Sequence, residues 1–207
     1  SIQSGNSNVT VEDSLLTDIG TQNFDANPIA VYAQGDTDNI TVDNNVISDL
    51  RGTFDDEDGD FTTASKAGNP DEGAVQAILI NSQQAQDSID SPITGATVTS
   101  TEIRNLTDAR STVAVKFNGE VSGVIAGNDI RNLDTEGDIP GTDDPGGFTQ
   151  VISLAKGGNS PTGPENVSIV ENNISNVETT TEANFAPPTG IIVGSSADAS
   201  TIEVTRN

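Results

Sequence analysis

The most constraining feature of this sequence is a 12-residue pattern that recurs five times and begins a sixth time near the C-terminus. In the copy NVSIVENNISNV, residues 166–177, the apolar residues are Val167, Ile169, Ile174 and Val177. Their spacings of two, five and three do not fit an α-helix, which needs threes and fours, or a single strand, which needs twos. The pattern therefore predicts a strand, then a corner, then a second segment that faces the same interior, with these four side chains directed inward.

The copies begin at residues 8, 39, 95, 122, 166 and 201, so their starts are 31, 56, 27, 44 and 35 residues apart. Positions 9 and 12 of the pattern are apolar in every complete copy: Leu16, Ile47, Ile103, Ile130 and Ile174 at position 9, and Ile19, Leu50, Leu106, Leu133 and Val177 at position 12. Internal repeats of this kind determine the fold, and a stack of helix pairs would have a nearly constant period. The variable spacing therefore indicates a different repeat.

A second apolar run follows each copy after a stretch of variable length. The runs occupy residues 28–33, 76–81, 113–117, 150–155 and 189–194. They are rich in Ile and Val and alternate as strands do. One turn of the chain is therefore predicted to contain a strand, a corner, a short strand, a variable connection and a final strand.

This organisation resembles the right-handed parallel β-helix, the solenoid found in pectate lyases, tailspikes and many secreted surface proteins. The resemblance covers residues 8–207 and implies an all-β fold of five to six turns with long acidic insertions. Residues 1–207 are expected to form one domain, about 24 Å tall at the spacing of paired strands. Because a solenoid needs terminal caps and none is visible, we expect a fragment of a longer protein.

Two further positions of the pattern carry short polar residues. They are Ser14, Asn45, Thr101, Asn128 and Asn172 at position 7, and Asp18, Asp49, Asn105, Asn132 and Asn176 at position 11. Such side chains cap backbone groups at bends, and Asn tolerates the left-handed conformation. These residues are therefore predicted to form structural ladders along the stack.

The net charge of the chain restricts the environment and the binding partners that can be expected for it. The chain has 32 Asp and Glu against 8 Lys and Arg, a net charge of −24, and no Cys, His, Met or Trp. A surface this acidic repels nucleic acid and anionic membranes, so neither is an expected partner. Such acidity with few lysines resembles proteins of extreme halophiles, haloarchaea among them, where salt screens the self-repulsion. An acidic disordered protein is the alternative, but the regular apolar positions argue against it.

Five N-x-S/T sequons suggest glycosylation, and with it an extracellular, cell-surface or virion-surface location. They begin at Asn8, Asn39, Asn105, Asn166 and Asn173. Asn8, Asn39 and Asn166 share position 1 of the pattern, where Asn suits a turn. The sequons therefore have a second explanation, in which the fold alone produces them.

The longest insertions, residues 51–74 and 134–147, fall in the same part of the repeat and are expected on one side of the solenoid. The first contains a candidate calcium site made of Asp55, Asp56, Glu57, Asp58 and Asp60. It lacks the EF-hand spacing and the distal bidentate Glu. A solvated acidic loop is the alternative, and calcium is the one cofactor that the sequence suggests.

Arg104 and Arg131 occupy position 10 in consecutive copies and form the candidate ligand-binding pair. Two stacked guanidinium groups are suited to clamp a carboxylate or a uronic acid. The alternative is that they pair with the abundant surface acids. Glu12 and Asp43 also stack, at position 5, but Thr, Ala and Val continue that column, so it contains no acid–base cluster.

Three functions remain open from the sequence. The first is a non-enzymatic extracellular module, a surface, adhesin-like or fibre scaffold that contacts other domains of a longer chain, surface proteins or polysaccharide. The second is a polysaccharide lyase or glycoside hydrolase domain with its active residues in the acidic insertions. The third is a calcium-stabilised glycan-binding module. The sequence favours the first, because no candidate catalytic residues converge on one position of the repeat.

Overall fold

The computed structural model describes Ile2 and residues 6–21, 28–35, 37–52, 75–82, 91–108, 111–135, 148–156, 162–179, 188–194 and 201–207. Within these ranges the chain forms 17 strands and no α-helix. The first sheet contains, in order of pairing, β1 (Thr10–Glu12), β5 (Thr41–Asp43), β8 (Ile93–Thr99), β11 (Val121–Ala126), β14 (Val167–Val170) and β17 (Ile202–Thr205). The second contains β2 (Leu15–Thr17), β6 (Val46–Gly52), β9 (Glu102–Asp108), β12 (Asp129–Thr135) and β15 (Asn173–Thr179), and β3 (Gly20–Thr21) also pairs with β6. The third contains β4 (Ile29–Gln34), β7 (Val75–Asn81), β10 (Thr112–Asn118), β13 (Thr149–Ala155) and β16 (Thr189–Val193).

The chain visits the three sheets in a fixed cycle, and all the strand pairings are parallel between one turn and the next. Turns 1 to 6 begin at residues 8, 39, 95, 122, 166 and 201, where the copies of the sequence pattern begin. The architecture is that of a right-handed parallel β-helix, and the predicted fold class is confirmed. The second apolar run of each turn forms the third-sheet strand, as predicted.

The apolar positions of the repeat form continuous inward columns. Residues at position 9 pair in register from turn to turn: Leu16 with Ile47, Ile47 with Ile103, Ile103 with Ile130, and Ile130 with Ile174. The three inner members are fully buried, and the two outer ones are partly buried against the same core. The burial of β-branched and leucyl side chains along this column is the main stabilising contribution to such a stack.

Residues with a left-handed backbone conformation (positive φ) recur every five positions. They explain why the inward apolar side chains of the repeat are two, five and three residues apart. They lie at positions 1, 6 and 11 of the pattern: Asn8, Asn39, Gly95 and Asn166; then Asp13, Asn44, Ser100, Gly127, Glu171 and Arg206; then Asp18, Asp49, Asn105, Asn132 and Asn176. A left-handed residue within a strand resets the alternation of side chains. Inward residues on either side of it are therefore three apart, as Ile103 and Leu106 are around Asn105.

The middle strand is longer than the sequence predicts. In turns 2 to 5 it has seven residues, as many as the longest strands of the other two sheets. The expectation of a short strand was wrong because a left-handed Asn or Asp bends the strand without ending its pairing: β9 and β12 remain paired beyond Asn105 and Asn132.

The predicted polar ladder at position 7 is present and is buried. Asn128 Nδ2 donates to the Val98 carbonyl of the preceding turn (3.0 Å), and Asn128 Oδ1 accepts from the Thr101 amide (3.0 Å). Asn45 and Asn172 make equivalent bonds, and Asn207 continues the column in turn 6. Each Asn thus satisfies backbone groups at the corner of the turn before it, which a buried corner requires.

Candidate functional site

The arginine pair lies on the outward face of the second sheet. Arg104 in β9 and Arg131 in β12 are direct partners across the parallel pairing. Ile103 and Ile130, the residues that precede them, point into the core. The alternation of the strand therefore brings the two guanidinium groups together on the surface, as the sequence predicts.

Glu102 pairs with both arginines, and Asp129 pairs with Arg131. Arg104 Nη1 lies 3.1 Å from Glu102 Oε1, and Arg131 bridges Glu102 Oε1 and Asp129 Oδ2 with its two terminal nitrogens. The four side chains are between 31% and 40% exposed. Glu102 and Asp129 are themselves partners in register, two residues before the arginines. The cluster is therefore a two-turn ion-pair network with no net charge.

This network limits what the pair offers to a ligand. A uronic acid or other carboxylate would have to displace Glu102 and Asp129 from the guanidinium groups, and exposed ion pairs of this kind are individually weak. Arg104 Nε is buried and has no hydrogen-bond partner among the described residues, so solvent does not reach it. Ligand binding by Arg104 and Arg131 remains a prediction, while the pairing with surface acids is what the described structure contains.

An exposed Asn ladder borders the arginine cluster at position 11. Asn176 Nδ2 donates to Asn132 Oδ1 (3.1 Å), Asn132 Nδ2 to Asn105 Oδ1 (3.0 Å), and Asn105 Nδ2 to Asp49 Oδ1 (3.0 Å). The hydrogen bond from Asn105, with smaller contributions from Ser48 and others, lowers the pKa of Asp49 below its usual value. The second predicted polar ladder is thus confirmed, and its amides are used in holding turns together.

The candidate calcium ligands Asp55, Asp56, Glu57, Asp58 and Asp60 lie outside the described residues, and so does most of the second insertion. The strands extend further than the predicted insertion boundaries, because Arg51 and Gly52 belong to β6 and Asp134 and Thr135 to β12. Among the residues that the structure describes, no group of three or more acidic side chains is arranged to hold a metal ion. The calcium site remains a prediction.

Part of the outward column at position 5 of the first sheet helps to hold neighbouring turns together. Glu12 and Asp43 are partners in register, as the sequence predicts. Asp43 Oδ1 accepts a hydrogen bond from Thr99 Oγ1 of the next turn (2.6 Å). Asp43 therefore joins two turns through a hydroxyl, as a residue of a ladder does.

All five sequon asparagines are exposed. In three of them Nδ2, the atom a glycan would modify, already donates to another turn: Asn39 to Asn8 (3.2 Å), Asn105 to Asp49 (3.0 Å) and Asn173 to Asp129 (3.0 Å). The surface position suits glycosylation, and the ladder bonds suit the alternative in which the fold alone produces the motif. Glycosylation of Asn8, Asn39, Asn105, Asn166 and Asn173 remains a prediction.

The sequence did not reveal a buried polar seam between the second and third sheets. We define the seam as position 14 of the repeat (Gly52, Asp108, Thr135 and Thr179) together with the residues that begin the next third-sheet strand (Val75, Thr112 and Thr149). Thr149 Oγ1 lies 2.8 Å from Thr135 Oγ1 and 3.0 Å from Thr179 Oγ1. The Val75 amide donates to Asp108 Oδ2 (2.8 Å). The threonines recur at fixed positions of the repeat. In the sequence alone they resemble ordinary strand ends, because it does not show that the third-sheet strand begins beside the end of the second-sheet strand.

The seam holds the two ends of each variable connection. Thr112 Oγ1 donates to the Asp134 carbonyl of the following turn (2.8 Å), and Asp108, Thr112, Thr135 and Thr149 are at most 1% exposed. Residues 53–74, 136–147 and 180–187 connect the second sheet to the third at this place. Buried, satisfied polar groups therefore fix the points where connections of different length leave and return: hydroxyl groups in turns 3 to 5, and the Asp108 carboxylate beside Val75 in turn 2.

Comparison of the chain with known protein families, curated proteins and solved structures finds no match in any of the three. No helix in the described ranges is long and apolar enough to cross a membrane. The site geometry is therefore the basis on which a function is proposed.

Proposed function

We propose that this chain is a non-enzymatic, extracellular β-helical scaffold from a halophilic organism, which presents its acidic insertions along one side of a rigid stack. In a cell-surface, adhesin-like or fibre protein it would act as a stalk that contacts neighbouring domains, surface proteins or polysaccharide. The proposal is supported most by the seam, because each turn can accept an insertion there while its strands stay in register.

The surfaces of the described residues support the same proposal. Asn105, Asn132 and Asn176 bond to one another, and Arg104 and Arg131 bond to Glu102 and Asp129. Side chains that satisfy one another along a stack contribute rigidity and orientation rather than reactivity. The net charge of −24 supports a high-salt environment, where screening makes such a surface compatible with a folded chain.

Shortening one insertion tests the scaffold proposal. Replacing residues 136–147 with Ala-Arg, the dipeptide at 109–110 that connects the same sheets in turn 3, should leave the β-sheet circular dichroism and the unfolding midpoint close to those of the parent. The matched control is deletion of Ile130 and Arg131 from β12, which removes a fully buried core side chain and shortens a paired strand, and which should prevent folding. Loss of the fold in the insertion variant would contradict the proposal.

The two alternatives make different predictions for the same protein. A lyase or glycosidase would release unsaturated or reducing ends from uronate-containing polysaccharides, and the scaffold proposal predicts no release above a heat-inactivated control. A calcium-stabilised glycan-binding module would produce heat on titration of calcium chloride in molar potassium chloride. Replacement of Asp55, Asp56 and Asp58 by Asn would remove that heat if the acidic insertion binds the ion.

A further inference from the structure

The interface between turns 2 and 3 is built differently from those between later turns. At position 7, turn 3 has Thr101 where turns 2, 4 and 5 have Asn. Thr101 Oγ1 bonds within its own turn, to the Thr99 carbonyl (2.9 Å), and a threonine has no side-chain carbonyl to offer the Asn45 amide. The buried amide ladder is therefore interrupted between turns 2 and 3.

Three outward-facing aspartates connect these two turns instead. Asp38 Oδ1 accepts from both the amide (3.0 Å) and the hydroxyl (2.8 Å) of Thr94. Asp43 Oδ1 accepts from Thr99 Oγ1 (2.6 Å). On the second sheet, Asp49 Oδ1 accepts from Asn105 Nδ2 (3.0 Å). Asp43 and Asp49 of turn 2 accept from donors of turn 3, and Asp38 and Thr94 are the residues immediately before position 1 of these two turns.

The next interfaces rely on neutral amides in the corresponding places. Between turns 3 and 4, Asn128 bonds to Thr101 and Val98, and Asn132 bonds to Asn105. Between turns 4 and 5, Asn172 and Asn176 repeat these bonds, although Asn173 there donates to the carboxylate of Asp129. One ion pair also crosses turns 3 and 4, because Arg131 of turn 4 bonds to Glu102 of turn 3. Amide side chains do not titrate, so the amide–amide and amide–backbone bonds of these interfaces are insensitive to acid.

Protonation weakens a carboxylate as an acceptor, because hydrogen bonds to an ionised oxygen are roughly twice as strong as those to a neutral one. The bonds from Thr94 lower the pKa of Asp38, and the bond from Asn105 is the largest influence that lowers the pKa of Asp49. A lowered pKa means that the stabilisation is complete above the ordinary Asp pKa of about 3.9 and is lost as pH falls through the folded-state value. The loss is therefore confined to acid conditions.

The neighbours of the three aspartates differ in charge. Glu12 of β1 is the partner of Asp43 in register, and Asp18 occupies the position of Asp49 one turn earlier. Arg104 of β9 favours the ionised form of Asp49. Asp38 lies between Ser7 and Thr94, neither of which is charged. Turns 1 and 2 are also joined by bonds to carboxylates, from Asn44 Nδ2 to Asp13 Oδ1 (2.6 Å) and from Thr17 Oγ1 to Asp49 Oδ2 (3.3 Å), so the contrast is with the interfaces of turns 3 to 6.

We propose that the interface between turns 2 and 3 is an acid-sensitive joint, at which turns 1 and 2 open away from turns 3 to 6 before the remainder of the solenoid opens. The joint depends on Asp38 and Asp49. The carboxylates of Asp43 and of the buried Asp108, which accepts from the Val75 amide of turn 2 (2.8 Å), also bond across it. Charge-assisted bonds of this kind change an opening equilibrium by about fivefold each, so those of Asp38 and Asp49 together should change it by about 25-fold.

Amide hydrogen exchange reads each interface separately. The amides of Thr97 and Glu102 donate to carbonyls of turn 2, so their protection reports the joint. The amides of Asp129 and Asn173 donate to carbonyls of turns 3 and 4, so they report the next two interfaces. From neutral pH to about pH 2, in molar potassium chloride and after correction for intrinsic rates, the amides of Thr97 and Glu102 should lose about 25-fold more protection than those of Asp129 and Asn173. An equal loss at all four amides would overturn the proposal.

Amide variants distinguish titration of these aspartates from a general effect of acid. Asp38→Asn and Asp49→Asn combined keep a carbonyl acceptor at each position and should abolish the selective loss at Thr97 and Glu102. If the double variant does not fold, Asp49→Asn alone should reduce the selective loss about fivefold. The matched control is Asp18→Asn, at the same repeat position one turn earlier, which should leave the selective loss in place. Retention of the full loss in the amide variants would also overturn the proposal.

Discussion

Replacement of Asn172 by Ala is the sharpest test of the buried ladder. Asn172 is 2% exposed. Its Oδ1 accepts from the Asn128 amide (3.2 Å) and from Asn128 Nδ2 (2.8 Å). Its Nδ2 donates to the Ile125 carbonyl (3.0 Å) and to Asn207 Oδ1 (2.8 Å). Alanine removes these four bonds between turns, together with a longer one to the Val170 carbonyl (3.3 Å), and leaves the partners in turns 4 and 6 without them.

The expected loss follows from these four bonds. A typical intramolecular hydrogen bond contributes about 1 kcal/mol net, and a buried group left without a partner costs about 1–3 kcal/mol. Because water can reach some of the partners near the end of the stack, we expect Asn172→Ala to lower the free energy of unfolding by about 3–5 kcal/mol. That is a large share of the ~5–15 kcal/mol of a typical domain.

Urea unfolding at constant molar potassium chloride measures this effect, since urea leaves the ionic strength unchanged. The neighbouring Asn173→Ala is the matched control, because Asn173 is exposed and donates one bond, to Asp129 Oδ1 (3.0 Å). It should cost about 0.5 kcal/mol. Asn172→Thr, which copies Thr101 of turn 3, should lie between the two. A loss below about 1 kcal/mol for Asn172→Ala, or one no larger than that of the control, would refute the ladder as a stabilising element.

Three further predictions concern backbone, surface and solvent. A Cβ added to Gly123 would lie 1.8 Å from the Ala96 carbonyl oxygen at a φ of +155°, so Gly123→Ala should cost more than about 3 kcal/mol in urea. By contrast, Gly127→Ala, in open space at a φ of +65°, should cost about 1 kcal/mol, and equal costs would contradict this account. Glu102→Gln should cost about 0.2–1 kcal/mol because the side chains that pair, those of Glu102, Arg104 and Arg131, are still 31–38% exposed, and a much larger cost would mean that the network is essential. The thermal midpoint should rise between low and molar potassium chloride as salt screens the charge of −24, and a midpoint that falls would argue against a halophilic origin.

The fold was predictable because the repeat determines it at several positions at once. Apolar residues at positions 9 and 12 and polar residues at positions 7 and 11 are consistent only with a coiled stack, and the structure pairs Ile47, Ile103 and Ile130 as expected. The left-handed residue at position 6 was not predictable, because Glu171 and Arg206 occupy it beside the more typical Asn44 and Gly127. The stack imposes the left-handed conformation on Glu171 and Arg206, although residues of these types rarely adopt it.

The site was predictable only in outline. Register alone places Arg104 beside Arg131, but which acid engages them depends on the side chains at position 8, Glu102 and Asp129. The seam was missed for a different reason. Thr135 and Thr149 are separated by a connection of undetermined path in the sequence, so their contact is a consequence of the closed turn.

The most direct test of the central claim is a set of distances between spin labels, one pair in each double-cysteine variant of this cysteine-free chain. Thr10, Val124 and Glu203 occupy position 3 in turns 1, 4 and 6, are exposed, and lie on the same sheet. At the spacing of paired strands, labels at Thr10 and Val124 should be about 14 Å apart, and labels at Thr10 and Glu203 about 24 Å apart. Distances that increase with turn number in this way are the predicted result. A broad distribution, or a separation between Thr10 and Glu203 no greater than that between Thr10 and Val124, would contradict the stacked solenoid.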